Sequence, residues 1–299
     1  MKKLNRIIVG HDLRAGGEAA LQSAAVLANR CAAALRVVHI VEPLESYQRL
    51  SHPLTSPYPV EEIAQKAGAR LESLVGGAEL AGLQAEYEVR TGKPFLELIV
   101  AQRAWLADLI VVGGASEPEE AFSASTSERL MRKSAVPVMM AKSRLSAEAK
   151  TFLVATDFSA SARQAAEEAL MLAENFHGRV VFVHVLDRPS YTVSYVHELG
   201  VSLPTPPPTP EQLEPEWEAF LSGLPLEKIA WEKTTEEGQA ATTIVRQAEH
   251  VKADVIVMGT HGRSGLPYIL LGSVAEKVVR KASCPVLTIR PEAFQFQLP

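Results

Sequence analysis

Short apolar runs alternate along this chain with longer stretches whose apolar residues recur at helical spacing. In the second half, residues 151–156 form a nearly continuous apolar run, the pattern of a strand buried on both faces. A helix is predicted over 161–176, with Ala165, Ala169, Leu172, Ala173 and Phe176 on one face. Further strands are predicted at 180–186, at 229–233, where apolar and polar residues alternate, and at 253–258 and 285–290. Helices are predicted over 240–251, with Ile244, Val245, Ala248 and Val251 as a buried stripe, and over 274–281. The glutamate-rich helix Glu211–Glu218 reads as a solvated face. Alternating strands and helices imply a parallel sheet covered on both sides. Ligands of such sheets bind at the carboxyl ends of the strands, where the strand order switches.

The pattern occurs twice. Residues 6–12 (RIIVGHD) match 152–157 (FLVATD), with Asp12 and Asp157 145 positions apart. His39 and His184 sit in matching apolar strands at the same offset, and Ala107–Gly113 matches Ala253–Gly259 at an offset of 146. Pro137 and Pro285 stand 148 apart. So small a drift across a whole half indicates duplication with short loop insertions. With 299 residues, two tandem domains are expected, over 1–144 and 148–292, joined through a polar stretch at 142–150. Each is expected to be α/β, a doubly wound five-stranded parallel sheet with helices on both faces, Rossmann-like.

Between the strand at 253–258 and the helix at 274–281 runs Gly259-Thr-His261-Gly262-Arg263, continuing to Gly272-Ser273. Strand, glycine loop and helix start are the arrangement that cradles phosphate. Gly259 is expected to let the chain pass close to a ribose, and Gly262 and Gly272 to admit backbone approach to phosphate oxygens. Ser273 would bring its hydroxyl and the first unbonded helical N–H groups. His261 and Arg263 add hydrogen-bonding or positive character, and the loop contains no Asp or Glu. The lysine of the common P-loop is missing, and the spacing is not G-x-G-x-x-G. The first half has Ser116 and Ala124 for the two later glycines, with Ser125 still matching Ser273, and Glu117, Glu119 and Glu120 in the loop. A carboxylate about 5 Å from a phosphate charge costs roughly 3 kcal/mol at an effective dielectric near 20. Residues 1–141 are therefore expected to bind no triphosphate and to act as a structural or regulatory partner.

The pattern G-x2-G-x9-G-[ST] after a strand resembles the ATP-binding signature of the universal stress protein family. Asp157-Phe-Ser159, His184-Val185 and Cys284-Pro-Val-Leu287 fit the same family, and the likeness spans nearly the whole chain. It implies an adenine-nucleotide-binding fold with one ATP site, in the second half. Asp157, with Ala155 and Thr156, would face the ribose and base; Val185 would offer its backbone to the adenine edge. Met258 and Gly259 would line the base and ribose. His261, Gly262, Gly272, Ser273 and Val274 would hold the phosphates, with Arg263 beside them. Magnesium would be held mainly by the phosphates, without a protein cage. The last strands, at 136–141 and 285–290, resemble those that pair across family dimers. The two halves could then pair as an intramolecular pseudo-dimer, and a homodimer stays open. The implied role is an ATP-binding stress-response or signalling module with an unnamed protein partner. Two other readings stay open: a slow ATP hydrolase with His261 as base and Arg263 stabilising charge, and an interaction module that binds no nucleotide. No carboxylate in the signature can position water, and no catalytic residue is assigned.

Some of these residues also have plainer roles. Asp157 or Ser159 could cap the helix that follows; His39 and His184 read as core histidines with satisfied hydrogen bonds; Met258 reads as core as much as pocket. A net charge of -5 and a pI near 6.0 lack the basic footprint of nucleic-acid binding. No apolar run suggests a membrane span or a signal peptide. Cys31 and Cys284 form no paired motif and read as buried thiols of a cytoplasmic protein. The proline-rich stretches at 43–59 and 204–210 read as surface excursions after the second strand of each half.

Overall fold

The computed structural model describes residues 3–43, 59–114, 121–186, 209–260 and 271–290, with backbone alone at 121–125 and 210. The first half runs β1 (Arg6–Gly10), α1 (Ala15–Cys31), β2 (Ala34–Val41), α2 (Val60–Val75), β3 (Ala85–Thr91), α3 (Pro94–Trp105), β4 (Leu109–Gly113), α4 (Ala121–Lys133) and β5 (Val138–Ala141). The second runs β6 (Thr151–Thr156), α5 (Ala160–Phe176), β7 (Arg179–Leu186), α6 (Glu214–Leu221), β8 (Ala230–Glu237), α7 (Ala240–His250), β9 (Val255–Gly259), α8 (Ser273–Lys281) and β10 (Val286–Ile289). The proline-rich stretches lie, but for their ends, outside the described residues.

Each half is a five-stranded parallel sheet. The two are joined edge to edge, in the order β3-β2-β1-β4-β5-β10-β9-β6-β7-β8. The junction is antiparallel: Val286 faces Met140, Leu287 faces Met139 and Thr288 faces Val138. Met139 and Leu287 are equivalent positions of the two copies, so a pseudo-twofold axis passes beside them. The expected sheets are thus present, as one continuous ten-stranded surface.

Alternation along the strands sends side chains to two apolar layers. Phe152, Val154, Val180 and Phe182 pack with α1 and α5, whose alanines let the helices lie close to the sheet. Leu153, Ala155, Val181 and Val183 pack on the other side with α3, α4, α7 and α8. Strand β8 is longer than the run at 229–233 predicted, because it pairs with β7 from Ala230 to Glu237. Its second half, Thr234 to Glu237, is polar and carries no apolar alternation on this edge of the sheet. The polar stretch at 142–150 is no loose tether. It buries Leu145 and Ala149, donates the Leu145 N–H to Ser23 Oγ (2.9 Å), and donates Ser143 Oγ–H to the Ser283 carbonyl (2.9 Å). Among the described residues no helix is long and apolar enough to cross a membrane.

Candidate nucleotide site

The site begins where β6 ends. Thr156 Oγ1 accepts the N–H of Phe158 (2.9 Å), and Phe158 takes the left-handed conformation (φ 63°), sparsely populated by bulky residues. Its ring stacks on His184, centroids 4.4 Å apart, and meets Trp217 edge-on at 4.9 Å. This turn sets Asp157 at the sheet end. Ser159 caps α5 by accepting from Ala162 N (3.3 Å), while Asp157 Oδ1 accepts from Ser159 N (3.1 Å).

The first half divides this work differently. Arg14 stands where Ser159 does and gives no side-chain cap. Asp12 Oδ1 instead accepts from both Arg14 N and Gly17 N, at 3.0 Å each. Of the two candidate caps in the second half, the structure thus uses Ser159, and the matching carboxylate of the first half is drawn into capping. Ser159→Ala should therefore lower stability by about 1 kcal/mol. In thermal unfolding this is a fall of roughly 2–4 °C.

Ala155, Thr156 and Asp157 line a cavity of about 260 Å³ together with Val185 of β7 and Met258 and Gly259 of β9. Gly272, Ser273 and Val274, at the start of α8, complete that set. These nine predicted positions meet between β6 and β9, the neighbours whose following helices leave to opposite faces of the sheet. That is the switch point at which open α/β sheets form a crevice. His261, Gly262 and Arg263 lie outside the described residues.

Two glycines also have structural reasons of their own. A Cβ on Gly259 would stand 2.6 Å from Ser161 Oγ and 3.0 Å from its carbonyl carbon. The first turn of α5 therefore demands glycine there. In the first half a Cβ on Gly113 would stand 2.3 Å from the Gly16 carbonyl oxygen, so the same packing keeps glycine at this position in both copies. Gly272 has an ordinary φ of -56° and donates its N–H to the Thr260 carbonyl (2.8 Å). It shapes the rim and is the N-cap of α8. The first bond within α8 is Glu276 N to Gly272 O (3.0 Å). The N–H groups of Ser273, Val274 and Ala275 therefore have no partner inside the helix, and they carry its partial positive charge.

In the first half the described helix start falls at an earlier position. Helix α4 begins at Ala121, so Ser125 lies a turn inside it and is not the structural equivalent of Ser273. The N–H at 125 points back along a helix already under way. Ser127 Oγ then ties α4 to β4 by donating to the Gly113 carbonyl (2.9 Å). At the position of Thr156 the first half has His11, which is buried, accepts Leu13 N at 2.9 Å, and is pushed down to about 4 by burial.

His39 and His184 use Nδ1 alike, bonding the carbonyls of His11 and Thr156 at 2.8 Å. Because a carbonyl can only accept, the proton sits on Nδ1 in both. His184, read from sequence as core, is also part of the cavity wall. The helix expected at Glu211–Glu218 is present as α6 (Glu214–Leu221), but it is not only a solvated face. Its glutamates 214 and 218 are exposed as expected, but Trp217 and Phe220 on its other side are buried and join Phe158 in one aromatic cluster. The spacing Leu213, Trp217, Phe220, Leu224 is the signal that marks that face. Among the described residues no group of three His, Cys, Asp or Glu is placed to hold a metal.

The universal stress protein family profile matches residues 3–142 and again 148–290. A universal stress protein of Methanocaldococcus jannaschii is 37% identical over 145 residues, covering 47% of this chain and 82% of that protein. One from Mycolicibacterium smegmatis is 27% identical over 303 residues, covering 95% of this chain and 97% of its own. The crystal structure of a universal stress protein from Archaeoglobus fulgidus has the same fold across 96% of this chain and 97% of that one. Its TM-score is 0.70 and its identity 22%. With both halves matched and their arrangement shared end to end, this chain is a tandem member of the universal stress protein family.

Proposed function

We propose that the second half binds one ATP per chain and holds it rather than cleaving it, as a stress-response or signalling module. The observation that carries this reading is the convergence of nine positions, from three strand ends and one helix start, on a single cavity. Its parts suit the parts of a nucleotide. Val183, Ile244 and Met258 give an apolar wall for a base. Asp157 offers a carboxylate to ribose hydroxyls, and the start of α8 offers N–H groups to phosphate. The loop at 261–270, with glycines at 262 and 265 and no acid, supplies the remaining phosphate contacts in this reading. Magnesium is then held by the phosphates.

Holding is favoured over hydrolysis because the signature has no carboxylate to position water. His184 lies on β7, two strands from β9 and so roughly 10 Å away across the sheet; it belongs to the base end. We place the protein in the cytoplasm. Both cysteines are unpaired, which suits a reducing compartment.

Titration calorimetry of the full chain with ATP tests the reading. Wild type should bind one equivalent at micromolar affinity, and Asp157→Ala should bind at least tenfold more weakly. Equal affinities would remove Asp157 from the site.

A further inference from the structure

Helices α4 and α8 carry the same two charges, Glu128 with Arg132 and Glu276 with Arg280. Across the β5–β10 junction the pairs cross. Arg132 Nη2 lies 3.3 Å from Glu276 Oε2, and Arg280 Nη2 lies 3.0 Å from Glu128 Oε1. Arg280 also reaches Glu276 on its own helix at 3.1 Å. The axis beside Met139 and Leu287 relates the two crossed pairs.

Their surroundings are not equivalent. Glu276 is the fourth residue of α8, about 4.5 Å of helix rise beyond Ser273. Its carboxylate belongs to the first turn of the helix end that faces the cavity. Glu128 is the eighth residue of α4 and lies two turns from that helix's start. A carboxylate beside a phosphate site repels the ligand unless a cation balances it. For Glu276 one such cation comes from the other half of the molecule. Both side chains of that pair are partly buried, 28% and 31% exposed, so water screens them incompletely.

We propose that the first half supports nucleotide binding by the second through Arg132, which neutralises Glu276 in the first turn of the helix whose start lines the cavity. Arg132 is a positioning and charge-balancing residue and touches no nucleotide. The proposal rests on the reading of the cavity as an ATP site, and gives the half without such a site a part in its affinity.

The test is ATP affinity by calorimetry on the full chain, with thermal unfolding of each variant. Arg132→Ala should weaken binding at least fivefold, by an amount that shrinks as salt is raised. Glu276→Gln should bind at least twofold tighter than wild type. Adding Arg132→Ala to Glu276→Gln should then change affinity less than twofold. Glu128→Gln, which breaks the mirror-related pair, should leave affinity within twofold of wild type. A wild-type affinity in Arg132→Ala overturns the proposal, as does an equal loss in the Glu276→Gln background. Glu276→Gln decides independently of how well the arginine variant folds: unchanged or weaker binding contradicts the proposal. Wild type that binds no ATP sinks the reading of the cavity and this proposal with it; wild type that binds, with a flat variant series, sinks this proposal alone.

Discussion

Replacing Trp217 by alanine should destabilise the second half by about 3–5 kcal/mol, the range for a large aromatic removed from a packed interior. Trp217 is 1% exposed. Its ring meets Phe158, Phe220 and His184 edge-on, with centroids 4.9, 6.2 and 6.4 Å away, and its Nε1 donates to Thr235 Oγ1 at 3.0 Å. Truncation leaves a void under α6 and removes the partner of that hydroxyl. It also loosens Phe158, whose left-handed backbone depends on its ring being held. Phe158 is next to Asp157, so ATP affinity should fall along with stability. Thermal unfolding should show a drop of roughly 6–20 °C, taking about 2–4 °C per kcal/mol. Trp217→Phe, which keeps most of the ring, should lose far less. A loss below about 1 kcal/mol for the alanine variant would mean that the cluster is not packed as described.

Gly272→Val should leave the fold intact and remove ATP binding, an affinity loss above roughly 100-fold or about 2.7 kcal/mol. Gly272 is the N-cap of α8 and part of the cavity wall. A Cβ there would sit 3.1 Å from the Thr260 carbonyl oxygen, so the added side chain must push the rim outward or lean over the helix end. Either way it disturbs the N–H groups of Ser273, Val274 and Ala275, which the triphosphate is proposed to use. Because φ at 272 is ordinary, little backbone strain accompanies the change. Gly272→Ala should be intermediate. Calorimetry checks both, and near-wild-type affinity in the valine variant would place the phosphates elsewhere.

Much of this fold was legible in the sequence, for a physical reason. Strands buried on both faces are continuous apolar runs, and α5 shows its buried stripe of Ala165, Ala169, Leu172, Ala173 and Phe176 at plain helical spacing. Duplication helped further, because each element is written twice. What sequence concealed depends on contacts between distant segments. The need for glycine at 259 comes from Ser161, 98 positions earlier, and is invisible to a loop motif. The buried face of α6 was masked by its glutamates, and the polar end of β8 by its place at the sheet edge. Ser125 aligns with Ser273, yet no glycine stands at 124 to stop α4 from starting a turn earlier. The crossed pairs of Glu128, Arg132, Glu276 and Arg280 need the β5–β10 register before they can be seen at all.

One nucleotide should bind per chain, in the second half. Native mass spectrometry of the full 32.4 kDa chain with excess ATP tests it most directly. The predicted spectrum shows a single ATP on each wild-type chain and none on the Gly272→Val variant. Two nucleotides per chain, or a single one that survives in that variant, would contradict it.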